Sequence, residues 1–297
     1  MDKSNIYQED AVPSILKQVV KSYTDRGIYM VAFWFLFFMS LITLFGPILA
    51  PYDPHFQQTD LLLTPPSWAD AGRVDYFFGT DDLGRDLLSR VMAGSRYTIG
   101  GALLTVLISG VIGVAIGAIA AMLRGIRSSI LHHLLDTILA IPSLLLAILV
   151  IAVLGRGWDT ILLAVTIGLI PQFIRVSHQA SLQVLGQEYV RMARLDGYSG
   201  VQLFQKIVLP NMAEALITRF TAALSSAILD IAALGFLSLG AQSPAPEWGT
   251  MMANGIELLT RAPWVIALPG AAIFLTVLSI NVAGEGLKNS FKQLRVS

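Results

Sequence analysis

GQEYVRMARLDGYSGVQLFQKIVLPN, residues 186–211, is a polar island between two long apolar segments, and its reading decides what the rest of the chain is. It is too long for a turn, and connections beyond about 12–15 residues are usually functional or unstructured. The pattern argues for structure. From Gln187 to Asp196, Tyr189, Met192 and Ala193 recur at helical spacing, and Gly197 stands where a left-handed C-cap would stop a helix. Ser199 can cap a second helix with Val201, Phe204 and Val208 at i, i+3 and i+7, Leu203 and Ile207 beside them, until Pro210 removes a backbone donor and ends it. Two short amphipathic helices are expected to meet at a glycine.

The composition around the island is that of a membrane protein: 297 residues, 55% hydrophobic and only 13% charged. Net charge is zero and no basic stripe is interleaved with aromatics, which excludes nucleic acid as an expected partner. With no cysteine, disulfides, thiolate chemistry and cysteine-held metals are excluded. The chain has no GxxxxGK[ST] phosphate loop, GxSxG, HExxH or triad, so neither catalytic residues nor a cofactor are expected on it. Its energy would have to come from elsewhere.

Six membrane spans are expected, each near the roughly 20 apolar residues a bilayer core requires. Residues 1–27 form a polar tail without a signal core, expected to stay on the chain, in which Pro13 to Asp25 reads equally as a surface helix or a solvated segment. The first span is Gly27 to Ala50, taken as 28–50. A proline-punctuated polar segment, 51–96, follows. The second span, about Thr98 to Leu123, offers Gly110, Gly113, Gly117 and Ala121 as a small-residue face for close helix packing. The third, about Ser129 to Leu154, contains Asp136 near His132 and His133. Asp136 reads either as an interfacial pair or as a substrate contact, and the histidines lack the spacing of a metal site. The fourth is about Thr160 to Ile174, with continuation into the island left open, the fifth Ala213 to Leu239 with Arg219 near its inner end and Asp230 well inside, and the last Pro263 to Ala283. Asp230 reads as an interhelical hydrogen-bonding group or as part of a cavity lining, and Asp230→Asn and Asp230→Ala at equal abundance would separate the two by uptake. With the N-terminus inside, six of the twenty Lys and Arg lie outside (Arg73, Arg85, Arg90, Arg96, Arg156, Arg261) and the others inside. That bias supports an N-in, C-in chain with the island in the cytoplasm and residues 287–297 as a cytoplasmic tail.

Gly197, nine residues, then Ile207-Val208-Leu209-Pro210 resembles the cytoplasmic signature of bacterial ABC-transporter permeases, E-A-A-x3-G-x9-I-x-L-P. Ala193 falls on the second alanine, with Arg191 and Met192 in place of the preceding Glu and Ala. The resemblance implies that this element docks on a separate ATPase subunit through Tyr189, Arg191, Met192, Ala193, Arg194, Gly197, Phe204, Lys206 and Pro210, with Met192, Ala193 and Gly197 as a packed turn. Gly197→Asp is expected to leave the chain in the membrane and abolish coupled ATP hydrolysis.

GTDDLGRDLLSR, Gly79 to Arg90, reads locally as a helix capped by Thr80, with Asp81 and Asp82 in its first turn and Arg85 following them. Asp81, Asp82, Arg85 and Asp86 also resemble the outer-face motif of dipeptide and oligopeptide permeases. GAQSPAPEWG, residues 240–249, is similar to the outer loop of the same family. There Glu247 and Trp248 could meet a solute receptor, or Trp248 and Trp264 could merely anchor the membrane interface. The runs 131–148 and 228–249 look nearest to the Sap-type peptide permeases.

The resemblance covers almost the whole chain. It implies an all-α, type I ABC importer fold, with the transmembrane domain over 97–286 and its coupling loop at 186–211. It further implies alternating access in a bacterial inner membrane, a second six-helix permease, two ATPase chains carrying ATP and Mg, and a periplasmic solute-binding protein. The cargo would be peptides, including antimicrobial peptides. Haem, nickel or polyamine in the same family, and an ATPase-independent channel, are the alternatives.

Overall fold

A computed structural model of the chain describes residues 15–122 and 139–294, and these are helical apart from connecting loops. Helix α1 (Ile15–Thr24) leads into α2 (Gly27–Leu49), whose 23 residues rise about 34 Å at 1.5 Å per residue, enough for a hydrocarbon core. Within the segment read as surface helix or solvated tail, α1 is a helix, and it packs on the chain's last helix, α12 (Trp264–Leu294). Tyr23 Oη donates to Tyr29 O at 3.2 Å, and Asn289 Nδ2 of α12 donates to Tyr29 Oη at 3.1 Å.

After a loop holding one 3₁₀ turn (Thr59–Leu61), a continuous helical run covers Leu87–Met122: α3 (Leu87–Ser95), a π turn (Arg96–Gly100) and α4 (Gly101–Met122). The span begins about ten residues earlier than its hydropathy suggests. Helix α5 (Ser143–Leu154) is apolar, but its 12 residues reach only about 18 Å. The expected first half of that span, with Asp136, lies outside the described residues. Next come α6 (Trp158–Leu185), α7 (Glu188–Leu195), α8 (Gly200–Leu203), a π turn (Phe204–Val208), α9 (Leu209–Asn211), α10 (Ala213–Phe236) and α11 (Trp248–Gly255). Among the described residues five helices are long and apolar enough to cross a membrane, and the chain is a multi-pass membrane protein.

The fourth span, read as about Thr160 to Ile174 with continuation toward the island left open, is part of α6, which runs on through Arg175 and His178 to Leu185. Two serines of this stretch are buried against neighbours and bonded there: Ser177 Oγ donates to Val114 O at 2.9 Å and Ser181 Oγ to Met212 Sδ at 3.1 Å. The α4–α6 contact is the most extensive in the bundle and follows from the small-residue face. A Cβ on Gly117 would stand 2.9 Å from Ser177 Cβ, inside van der Waals contact, so only glycine allows the two backbones this close. Around this pair Val106, Phe173, Ile228 and Ile231 form the core.

Candidate functional site

Two polar constructions remain, one at each end of α10. At the island end, α7 stops in a full Schellman motif: Tyr198 N–H donates to Ala193 O at 3.1 Å and Gly197 N–H to Arg194 O at 3.2 Å. Gly197 has φ +84°, the left-handed region expected of it. A complete capping box follows. Gln202 N–H donates to Ser199 Oγ at 3.3 Å, and Ser199 N–H to Gln202 Oε1 at 3.0 Å. Pro210 does not end the second helix as the sequence suggested. The chain widens into a π turn at Phe204–Val208, which accommodates the missing donor, and helix resumes at Leu209.

The paired helices have two faces. Val190, Ala193, Leu203 and Val208 are buried on Ala180 and Val184 of α6 and on Met212, with Phe204 half-buried beside them. This anchors the element to the bundle. The opposite face carries Tyr189 (48% exposed), Met192 (64%), Leu195 (83%) and Val201 (66%), with Arg191 and Arg194 also exposed. Lys206 Nζ sits 5.7 Å from the Tyr198 ring centroid. Of the expected packed turn only Ala193 is packed; Met192 points away from the bundle and a Cβ on Gly197 would meet nothing within 4 Å. An uncovered apolar face of this kind suits either a partner chain or a membrane surface.

At the other end Gly79–Asp86 is a loop, and the helix of this stretch starts only at Leu87. Gly79 and Gly84 have φ +76° and +71°, which no helix accommodates, and Thr80 and Asp86 form an isolated antiparallel bridge. Thr80 Oγ1 accepts from Thr64 N–H at 2.9 Å instead of capping a helix. The true cap is Asp86, whose Oδ2 accepts from Ser89 N–H at 2.8 Å and Ser89 Oγ at 2.6 Å. Asp81 is buried, and its Oδ2 is 2.7 Å from Arg85 Nε and 3.5 Å from Arg90 Nε while its Oδ1 accepts the Leu83 and Arg85 amides. Asp82 alone of the acidic group faces outward, 3.9 Å from Arg85 Nη2.

Glu247 and Trp248, read from sequence as a receptor-facing pair or interface anchor, are 1% and 0% exposed and so present no surface to either. Glu247 caps α11, accepting from Gly249 N–H (2.9 Å), Thr250 N–H (2.8 Å), Thr250 Oγ1 (3.0 Å) and Thr98 Oγ1 (3.1 Å). Trp248 Nε1 donates to Val91 O at 2.9 Å, and Trp264 Nε1 to Thr80 O at 3.2 Å. Burial pushes the Glu247 carboxyl above its ordinary range, and these four donors oppose the shift; Asp86 is raised by burial in the same way against its Ser89 bonds. Nothing in the residue types alone signalled this burial. The close approach of Gly235 to Glu247 Oε2 and of Gly249 to Ala232 is what encloses the carboxylate.

Between α6, α10 and the island lies a cavity of about 820 Å³, adjoined by one of about 370 Å³ reaching Ser143 and Gln172. Arg219 lines both. Asp230 is half-buried, with the Ser143 hydroxyl of the neighbouring helix α5 as its polar neighbour. Among the described residues no three His, Asp or Glu side chains gather as a metal site.

Comparison with known proteins brings both ends together. The family described as "Binding-protein-dependent transport system inner membrane component" matches residues 113–293, and "N-terminal TM domain of oligopeptide transport permease C" matches residues 14–66. The chain is 42% identical over 290 residues to the peptide transport system permease protein SapC of Escherichia coli O6:H1, covering 98% of each. It is 42% identical over 278 residues to the di/tripeptide transport system permease protein DppC of Pseudomonas aeruginosa, covering 94% of this chain and 92% of that one. Among solved structures, an inward-facing form of the MetNI methionine ABC transporter superposes with a TM-score of 0.56 at 18% identity, over 67% of this chain and 94% of that one, a likeness of fold.

Proposed function

Given that this chain belongs to the binding-protein-dependent transport system inner membrane components, the permeases of ABC transporters, and within them to the dipeptide and oligopeptide branch, we propose that it is one half of a permease pair carrying peptides across a bacterial inner membrane. Two separate ATPase chains, holding ATP and Mg, energise it, and a periplasmic solute-binding protein delivers the peptide. The chain lies N-in and C-in, which puts the island in the cytoplasm.

The observation that carries the reading is the island's two-faced construction. Its inner face is anchored in the bundle by Val190, Leu203 and Val208, each 2% exposed or less, while Tyr189, Met192, Leu195 and Val201 are left uncovered. Two-sided capping at Gly197 and Ser199 makes the pair stiff. A load applied by an ATPase to the outer face is therefore delivered to α6 and α10 without being absorbed by bending. Closure of the ATPases on ATP then tilts these helices, and the cavities beside Arg219 alternate between the two sides of the membrane.

The test is affinity purification of the chain from its native membrane, with Met192→Asp/Leu195→Asp as a comparison. Both positions are exposed, so the variant inserts normally. Recovery of a second permease with both chains, and of phosphate-loop ATPases with the wild type only, is the expected result. Equal recovery of ATPases with both would remove the island from the docking surface.

A further inference from the structure

We infer that Arg219, positioned by Gln172, is a carboxylate-binding residue in the transport path, taking the C-terminal carboxylate of a peptide. Arg219 lies in the second turn of α10, and its Nη2 donates to Gln172 Oε1. Gln172 is itself fixed, since its Nε2 donates to Gly168 O at 3.3 Å. The guanidinium carbon sits 5.4 Å from the Phe173 ring centroid. These contacts hold the head group in place, yet they leave its charge unmatched. Arg219 Nε is buried with no hydrogen-bond partner, and among the described residues no carboxylate lies within ion-pair distance.

Even a partly buried cation in a membrane span is costly, and an arginine serving packing alone would extend to the headgroups. This one is held where the 820 Å³ and 370 Å³ cavities adjoin, and it lines both. Among the described residues the smaller cavity has Arg175, Gln172 and Ser143 in its wall and no carboxylate, and Glu214 is the one carboxylate in the wall of the larger. Asp230 is hydrogen-bonded to Ser143, outside that wall. Such a lining suits an anionic group that arrives and leaves, and the guanidinium fork matches a carboxylate in geometry and charge. A permanent acid partner would stabilise Arg219 but block release. The choice of a peptide as the bearer of the carboxylate rests on the permease reading above.

The absence of cysteine supplies the assay. Val176 lines both cavities, so Val176→Cys places a single thiol in this chain beside Arg219. The whole transporter, in inside-out vesicles, is labelled with N-ethylmaleimide in the presence of tri-alanine or tri-alaninamide, and labelling is read on this chain alone. Tri-alanine should protect the thiol at about tenfold lower concentration than the amide, the loss expected when one charge-assisted contact is removed. Arg219→Gln should erase the difference, and Arg219→Lys should retain part of it. Equal protection by the two probes in the parent, or a difference that survives Arg219→Gln, overturns the site. ATP-dependent uptake of tri-alanine is measured on the same preparation. Uptake without carboxylate-selective protection leaves the permease standing and removes the site; selective protection without uptake does the reverse.

Discussion

Replacing Gly197 tests the lever at its most sensitive point. The residue holds φ +84° and a Cβ there would find nothing within 4 Å, so a substitution costs backbone energy and no packing. For an ordinary L residue that cost is about 1–2 kcal/mol, a shift of roughly 5- to 30-fold in the population of the capped turn. Asn and Asp tolerate the left-handed region better than other side chains, and a β-branched residue tolerates it worst. The series Gly197→Asn, →Ala and →Val should therefore lower coupled ATP hydrolysis progressively at equal abundance in the membrane. Gly197→Asp shares the Asn backbone cost, so a larger loss in Asp than in Asn measures the added charge on the docking face beside Arg191 and Arg194. The assay is substrate-stimulated hydrolysis in the reconstituted complex. Val at wild-type activity, or Asn as damaging as Val, would refute the Schellman turn as the element that transmits motion.

Asp81→Ala strips two buried arginines of their partner and should destabilise the outer end by about 3–5 kcal/mol, seen as a lowered Tm in detergent and reduced abundance. Glu247→Gln puts an amide nitrogen against donors and should cost about 1–3 kcal/mol at low pH. Because burial raises the Glu247 pKa in the folded chain, its contribution is full below the unfolded value of about 4.3 and is lost as pH rises through the folded one. Wild-type Tm should accordingly fall over that window relative to the Gln variant, and parallel pH profiles would show that Glu247 is not the titrating group.

Local chemistry made much of the fold legible. Gly197 caps because it has no Cβ to resist the left-handed backbone and Ser199 because its hydroxyl accepts an amide, and the Gly110–Gly117 spacing fixes which face of α4 meets a neighbour. What the sequence concealed depends on distant partners. Hydropathy left the end of the fourth span open at Arg175 and His178 because it counts charge; in the fold Ser177 and Ser181 of α6 are buried on α4 and Met212. Thr80 looks like a helix cap until two glycines take positive φ, leaving Asp86 to do the capping. The burial of Glu247 and Trp248 requires Val91 and Thr98, some 150 residues earlier in the chain. Arg219 drew attention only as a charge near a helix end. The feature that sets it apart, an unmatched guanidinium between two cavities, exists only in the folded bundle.

The joint formed by Val91, Thr98, Glu247 and Trp248 also imposes an order of events during biosynthesis. Its two halves leave the ribosome about 150 residues apart. Until the later half arrives, the earlier helices sit in the bilayer with Thr98 lacking its acceptor and the groove for the indole open. The joint can close only once α11 has been made, so protease resistance should rise at that point. Chains stopped after Phe236 should be cleared quickly, and those continued past Gly255 should persist.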